Sequence, residues 1–103
     1  MSNQLSVLSK DQLRVAAKML KVISHPVKLE ILQILGQNKQ MDVSTLCDCI
    51  GASCDNSMMS HHLIKLKDNG LVVSDRVGKQ MFYSLADDSI LELFNCIDSH
   101  LLK

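Results

Sequence analysis

The stretch from residue 56 to residue 85 reads NSMMSHHLIKLKDNGLVVSDRVGKQMFYSL, and its pattern decides the fold. Its first part predicts an amphipathic helix over about residues 56–68, because apolar side chains recur there at helical spacing. Asn69-Gly70 is typical of the point where a helix ends. The residues expected to face inward are Met59, Leu63 and Leu66.

The second part of the stretch predicts a β-hairpin. Two short apolar or alternating runs, residues 71–76 and 80–85, lie on either side of Val77-Gly78-Lys79. Short runs of this kind around a glycine are typical of two antiparallel strands joined by a tight turn.

A shorter helix is predicted just before this stretch, over residues 43–50. Asp42 can cap its first turn, and Gly51 can end it. Two helices joined by a short turn form a helix-turn-helix unit, and a hairpin directly after the second helix is a wing. The inner face of the shorter helix holds Val43, Leu46, Cys47 and Ile50.

Three further helices surround this unit. Ser9 and Gln12 have the spacing of a capping box, which predicts a helix to about Ile23. Pro26 suits the first turn of a second helix, which Gly36 is expected to stop. Asp87 or Asp88 is expected to cap a last helix that runs through Leu102. The predicted fold is mainly α with a small β-hairpin, in the order α-α-α-α-β-β-α.

Composition narrows the class of protein. The chain has 103 residues, 47% of them hydrophobic, and formal net charge is zero. We expect one winged helix-turn-helix domain over residues 9–103, preceded by a flexible segment over residues 1–8. No apolar run approaches the roughly 20 residues that span a bilayer, and no signal peptide is evident, so we expect a cytoplasmic protein. Its four cysteines are then expected to be reduced thiols. No nucleophile with a base, phosphate-binding glycine loop or catalytic metal pattern points to an enzyme.

Three segments resemble the ArsR/SmtB family: SHPVKLEIL at residues 24–32, MSHHLIKLKDNGLV at residues 59–72 and GKQMFYSL at residues 78–85. The similarity covers roughly residues 10–102. It implies a bacterial winged-helix dimer that represses operons for metal, metalloid or sulfur-stress handling and releases DNA when an inducer binds.

The predicted DNA contacts lie on the second helix of the unit and on the wing. A recognition helix needs small polar side chains near its N-terminus, where it enters the major groove. The resemblance places base contacts at Asn56, Ser57, Ser60 and His61, and Lys65 suits a phosphate. Lys and Arg at a hairpin tip can bind the DNA backbone or the minor groove, which makes Arg76, Lys79 and Gln80 candidates. Alternatively, these residues do not contact DNA: those on the helix form an ordinary solvated face, and those at the hairpin tip form an ordinary solvated turn. His62 is expected to pack internally.

The resemblance also assigns the first and last helices to a dimer interface. Two recognition helices about one DNA turn apart would then require an inverted-repeat operator. Alternatively, some of the apolar side chains fill the core of the single protomer. The candidates are Leu13, Leu20, Ile90, Phe94, Ile97 and Leu101.

The known sensor sites of the family do not fit this chain. Where relatives carry a Cys-x-Cys at the start of the third helix, this chain has Asp42 and Ser44. In the zinc set of the last helix only Asp87 and His100 match, because Ser89 and Lys103 occupy the other two positions. In the thiol pair of persulfide sensors, Cys96 has no partner, since the second-helix position is Gln33.

What remains is a cysteine cluster in the helix-turn-helix unit, Cys47, Cys49 and Cys54. Three thiolates would suit a thiophilic metal or metalloid ion. Residues two apart on a helix do not face each other, so Cys47 and Cys49 are not expected to pair within a regular helix. Cys49 lies at the end of the helix and Cys54 in the turn that follows, so these two are the favoured pair. The alternatives are a reversible Cys49–Cys54 disulfide, cysteines that only pack, and a winged helix used as a protein-interaction module without an inducer.

Overall fold

The computed structural model describes residues 7–51 and 54–100, which form five α-helices and a small antiparallel sheet. The elements are, in order, α1 (Lys10–Ile23), α2 (Pro26–Gln37), β1 (Met41–Asp42), α3 (Val43–Ile50), α4 (Asn56–Asp68), β2 (Val72–Val77), β3 (Gln80–Leu85), a 3-10 turn (Asp88–Leu91) and α5 (Glu92–His100). The predicted order of helices and hairpin is confirmed.

Local capping explains why the helices begin where they do. The Ser9 hydroxyl accepts a hydrogen bond from the Gln12 amide (3.1 Å), and the Gln12 side chain accepts one from the Ser9 amide (2.9 Å). This is the predicted capping box. Asp42 accepts from the Thr45 amide at the start of α3 (3.4 Å). Such bonds satisfy amides that have no partner inside the helix.

The sheet has the strand order β1-β3-β2. Strands β2 and β3 form the hairpin, with Val77 opposite Gln80 at the closed end. The turn needs a left-handed residue, and Gly78 supplies it with a φ of 64°. Val77 therefore belongs to β2, and the turn is one residue shorter than predicted.

The core lies between α2, α3, α4 and the sheet. Its fully buried side chains are Ile31, Leu32, Leu46, Met59, Leu63, Leu66 and Val72. In contrast, α1 buries only Ile23, and α5 has no buried residue in its described length. The helix-turn-helix unit is thus held by the core, while α1 and α5 flank it.

Further details of the fold differ from the sequence expectations. Gly36 does not end α2, which continues to Gln37. The glycine serves a close approach instead, because a Cβ there would collide with the side chain of Leu91. Strand β1 was not predicted; it pairs Met41 with Tyr83 on β3. The last helix is indeed capped by Asp87, but its first turn is 3-10 rather than α.

Some predictions fall outside the described residues. They include the predicted helix end at Leu102, the interface candidate Leu101 and most of the predicted flexible segment, residues 1–8. Within the described part of the chain, no helix combines the length and the apolar character needed to cross a membrane.

Candidate nucleic-acid interface

Helix α4 presents two contrasting faces. Met59, Leu63 and Leu66 are fully buried against the core. Four of the predicted DNA-contact residues on this helix are exposed, and Ser60 is half-buried; the exposed ones are Asn56, Ser57, His61 and Lys65. Because the apolar face is fixed in the core, the polar face has one orientation relative to the rest of the molecule.

The first turn of α4 is fixed by two hydrogen bonds. The Asp55 carboxylate accepts from the Met58 amide (2.8 Å) and caps the helix. The Asn56 amide group donates to the Ser44 hydroxyl on α3 (3.3 Å). Ser44 could not be predicted at this site from the sequence, because the bond joins two helices and follows from their packing. It couples the start of α4 to the start of α3.

The start of α3 also carries a negative charge. The Thr45 hydroxyl donates a 2.5 Å hydrogen bond to the Asp42 carboxylate. This bond lowers the pKa of Asp42 below its ordinary value, with backbone hydrogen bonds adding to the effect. Asp42 is therefore ionised at neutral pH and serves as the α3 cap, not as a phosphate contact.

The wing lies next to these helix ends. Arg76, Lys79 and Gln80 are all exposed, at or beside the hairpin turn. A groove of about 160 Å³ is lined by Gln80 and by Ser44, which brings the wing to the N-terminus of α3. On the other side, the Lys67 ammonium group donates to the Ser74 hydroxyl (2.7 Å) and links α4 to β2. Lys67 is therefore engaged within the protein.

The cations of this surface are free to bind an external anion. Over residues 7–51 and 54–100, the one ion pair joins Arg14 to Asp11 on α1 (2.9 Å). Lys65, Arg76 and Lys79 thus form no ion pair with a described residue. The polar residues of α4, the start of α3 and the wing are together called the α4–wing surface, which consists of Ser44, Asn56, Ser57, Ser60, His61, Lys65, Arg76, Lys79 and Gln80.

Known proteins share this fold. No protein-family model matches the chain. A protein of Synechocystis described as a transcriptional repressor SmtB homolog is 30% identical over 99 residues, which span 95% of this chain and 72% of that protein. A homodimeric winged helix-turn-helix DNA-binding domain from Mycobacterium bovis has a TM-score of 0.76 and 25% identity, over 94% of each chain. The Mycobacterium tuberculosis protein Rv0081 has a TM-score of 0.79 and 28% identity, over 91% of this chain and 92% of that one.

This chain belongs to the ArsR/SmtB family. The resemblance inferred from the three sequence segments is confirmed, and so is the winged helix-turn-helix fold. Its relatives are transcriptional regulators built on a DNA-binding fold.

His62 does not belong to the α4–wing surface of this ArsR/SmtB protein. It is buried, with 6% of its surface exposed, as the sequence predicted. Its ring packs on that of His25, with centroids 4.9 Å apart. Its Nδ1 atom has no hydrogen-bond partner among the described residues. Burial lowers the pKa of His62 below its ordinary value, and the charges of Lys28, His25 and His61 add to this effect.

The predicted interface residues divide into two groups. Leu13 and Leu20 on α1 are 54% and 55% exposed, so the single protomer does not bury them. Ile90 and Phe94 are half-buried and pack against the core of their own protomer. Ile97 is also half-buried. For Ile90 and Phe94, the alternative of a role within the protomer therefore holds at least in part.

The three cysteines of the helix-turn-helix unit differ in exposure. Cys47 is buried, Cys54 is half-buried and Cys49 is exposed. Hydrogen bonding with the Cys54 side chain, followed by burial, raises the pKa of the Cys47 thiol to about 11. Cys47 and Cys49 lie on different faces of α3, one buried and one exposed. The favoured pairing of Cys49 with Cys54 stays a prediction.

No three-residue metal site is formed in the described part of the chain: no group of three or more His, Cys, Asp or Glu side chains there could hold an ion. The Asp87 carboxylate accepts from the Ser89 amide (2.8 Å), which lowers the pKa of Asp87 and makes it a helix cap. A thiophilic ion bound by Cys47, Cys49 and Cys54 together would require the end of α3 to rearrange.

Proposed function

We propose that this ArsR/SmtB protein is a cytoplasmic transcriptional repressor that binds an inverted-repeat DNA operator as a homodimer. The observation that carries the proposal is the polar, exposed face of α4, held in one orientation by a fully buried opposite face. The role is one of binding, and no catalytic step is part of it.

The first two turns of α4 would enter the major groove. Asn, Ser and His side chains can donate to and accept from base edges and phosphates. Asn56 already donates to Ser44, which holds its amide group in place and leaves the carbonyl oxygen able to accept. Ser57 and His61, one turn apart, have exposed side chains for direct readout. Ser60 would contribute from the edge of the same face.

The cations would bind the DNA backbone. Lys65 lies one turn beyond His61 on α4, where its ammonium group would bind a phosphate at the edge of the major groove. Arg76 and Lys79 extend from the wing, and Gln80 can add a neutral hydrogen bond. Counterion release by such contacts makes binding dependent on salt. Three cations per protomer predict a moderate salt dependence, in keeping with the zero net charge of the chain.

Symmetry would supply the specificity. The exposed Leu13 and Leu20 on α1 and the half-buried Ile97 on α5 are apolar surface that a second copy can cover. The similar domain from Mycobacterium bovis is homodimeric. A two-fold axis through α1 and α5 would place two copies of α4 on one side of the dimer, which matches an inverted repeat.

The test begins with selection of binding sites from a pool of random duplexes by the reduced protein. The proposal predicts that the selected duplexes share an inverted repeat. Ser57→Ala and His61→Ala should each weaken binding of the selected duplex by roughly 5- to 150-fold, which corresponds to about 1–3 kcal/mol per lost base contact. Gln33→Ala, an exposed polar position on α2, is the control and should bind as wild type does.

Two outcomes would contradict the proposal. The first is the absence of any enriched sequence from the pool, which would favour a protein-interaction module. The second is full affinity in both Ser57→Ala and His61→Ala, which would place the groove contact elsewhere on the molecule.

A further inference from the structure

Cys47 and Cys54 form a thiol pair at the junction between α3 and α4. Cys54 packs against the core cluster that contains Cys47, and its Sγ atom donates to the Asp55 carbonyl oxygen (3.6 Å). Its side chain is close enough to Cys47 to raise the pKa of that thiol. Cys47 is 7% exposed and lies on the inner face of α3. The pair therefore sits at the point where the helix-turn-helix unit changes direction.

The backbone brings the two cysteines together. The Gly51 amide donates to the Cys47 carbonyl oxygen (3.1 Å), and the Cys54 amide donates to the Gly51 carbonyl oxygen (3.1 Å). Gly51 has a φ of 120°, a conformation that favours glycine. These two bonds hold Gly51 against the end of α3 and Cys54 against Gly51, which places Cys54 near Cys47.

Only one member of the pair is open to small molecules. Cys54 is half-buried and lines a pocket of about 40 Å³ with Met58 and His62. A space of this size admits a molecule about as large as water. Cys49 is exposed, but it is two residues from Cys47 on the same helix and does not face the pair.

We propose that Cys47 and Cys54 form a reversible disulfide in response to hydrogen peroxide. The Cys54 thiolate attacks one peroxide oxygen, which forms the sulfenic acid and releases hydroxide. The Cys54 thiol proton and that hydroxide make the first water. The Cys47 sulfur then attacks the Cys54 sulfur; the S–S bond forms, the S–O bond breaks, and the departing hydroxide takes the Cys47 thiol proton to make the second water. The two sulfurs are oxidised by two electrons in total, and the two peroxide oxygens are reduced.

The disulfide would act on DNA binding through the start of α4. Sulfur atoms in a disulfide are about 2.05 Å apart, so the two thiols must be drawn closer together than in the reduced protein. Cys54 is followed directly by Asp55, whose carboxylate caps α4 at the Met58 amide (2.8 Å). Drawing Cys54 toward α3 displaces this cap and the Asn56–Ser44 bond beside it, and operator affinity falls. This consequence rests on the proposed DNA-binding function, whereas the disulfide itself does not.

The disulfide can be mapped on one tryptic peptide. Cleavage after Lys39 and Lys65 releases residues 40–65, which contain Cys47, Cys49 and Cys54. The reduced full-length protein is treated with hydrogen peroxide, free thiols are alkylated and the peptide is sequenced by tandem mass spectrometry. We expect alkylation at Cys49 alone, with the peptide two hydrogen atoms lighter between Cys47 and Cys54. Alkylation at Cys47, or protection of Cys49, would overturn the assignment.

Measurements of DNA affinity are the second part of the experiment. Reduced wild type, Cys54→Ser and the matched control Cys49→Ser should bind the selected duplex equally. After peroxide, wild type and Cys49→Ser should lose at least about tenfold in affinity and regain it with dithiothreitol, which does not reverse methionine oxidation. Cys54→Ser should lose nothing. A mapped disulfide without a change in affinity overturns the switch, and a reduced protein that binds no DNA overturns the proposed function while the peptide map still decides the disulfide.

Discussion

His62 shows how much the surroundings of one residue matter. Its neighbour His61 is exposed on the α4–wing surface, yet His62 is buried against His25 with no partner for Nδ1 among the described residues. Both histidines occur in the segment that resembles the family, and helical spacing alone separates their roles. A difference of about 100° around the helix axis assigns one to solvent and the other to the core.

The lowered pKa of His62 predicts a pH-dependent stability. Burial disfavours the charged imidazole, so between the folded pKa and the unfolded value of about 6.5 the unfolded chain binds more protons. The contribution of His62 to the free energy of unfolding should therefore stay constant above pH 6.5, and the free energy should decrease as the pH falls below that value. Urea unfolding at pH 7.5 and at pH 5.5 measures this effect.

The control for that measurement lies on α5. His62→Phe keeps a ring at the position and should reduce the loss of stability at low pH. His100→Ala removes an exposed histidine and should leave the loss as large as in wild type. Equal pH dependence in wild type and His62→Phe would show that other groups cause it.

At the scale of the element, helices and hairpin could be predicted because their signals are local. Ser9 with Gln12, Asp42 with Gly51, and the glycine of the wing turn all lie within a few residues of the structure that they define. Strand β1 could not be predicted, since its two residues become a strand only by pairing with β3. Gly36 was misread for a related reason, because its role depends on the distant Leu91.

The candidate site was predictable to the same extent. Exposure of Ser57 and His61 follows from helical periodicity, so it could be read from the sequence. The Asn56–Ser44 bond and the Cys47–Cys54 contact both depend on how the α3–α4 turn folds. Spacing alone therefore favoured Cys49 as the partner of Cys54.

The cap of α4 gives a prediction for this element. Asp55→Ala removes the acceptor of the Met58 amide and should cost about 1 kcal/mol. In a domain of this size such a loss lowers Tm by roughly 4–8 °C. Thermal unfolding of the reduced protein checks it, with Asp48→Ala, an exposed aspartate inside α3, as the control. Equal Tm values for the two variants would contradict a specific capping role.

Lys79 is exposed at the wing turn, where it can reach a DNA phosphate. If Lys79 binds a phosphate, Lys79→Ala should weaken binding to every duplex alike. It should also reduce the salt slope of log K by about 0.9 for each protomer. Titrations of the selected duplex at several salt concentrations measure the slope. Lys18→Ala removes an exposed lysine of α1 and should leave the slope unchanged. A change in sequence preference rather than in slope would instead assign Lys79 to base readout.

The proposed dimer would form through apolar surface that one protomer leaves uncovered. Leu20→Glu would place a charge in the proposed interface, where an unpaired carboxylate costs several kcal/mol. We expect the variant to sediment as a monomer at a concentration at which wild type is a dimer. Lys18→Glu adds a carboxylate two residues away at an exposed polar position and should remain dimeric. A dimeric Leu20→Glu would place the interface elsewhere.

The stoichiometry of the DNA complex tests most directly whether two copies of the α4 face read one duplex. Native mass spectrometry of the reduced protein with its selected inverted-repeat duplex should give two protomers per duplex. Replacement of one half-site by random sequence should weaken binding by at least tenfold. A complex with a single protomer, or affinity that is unaffected by loss of a half-site, would contradict the account.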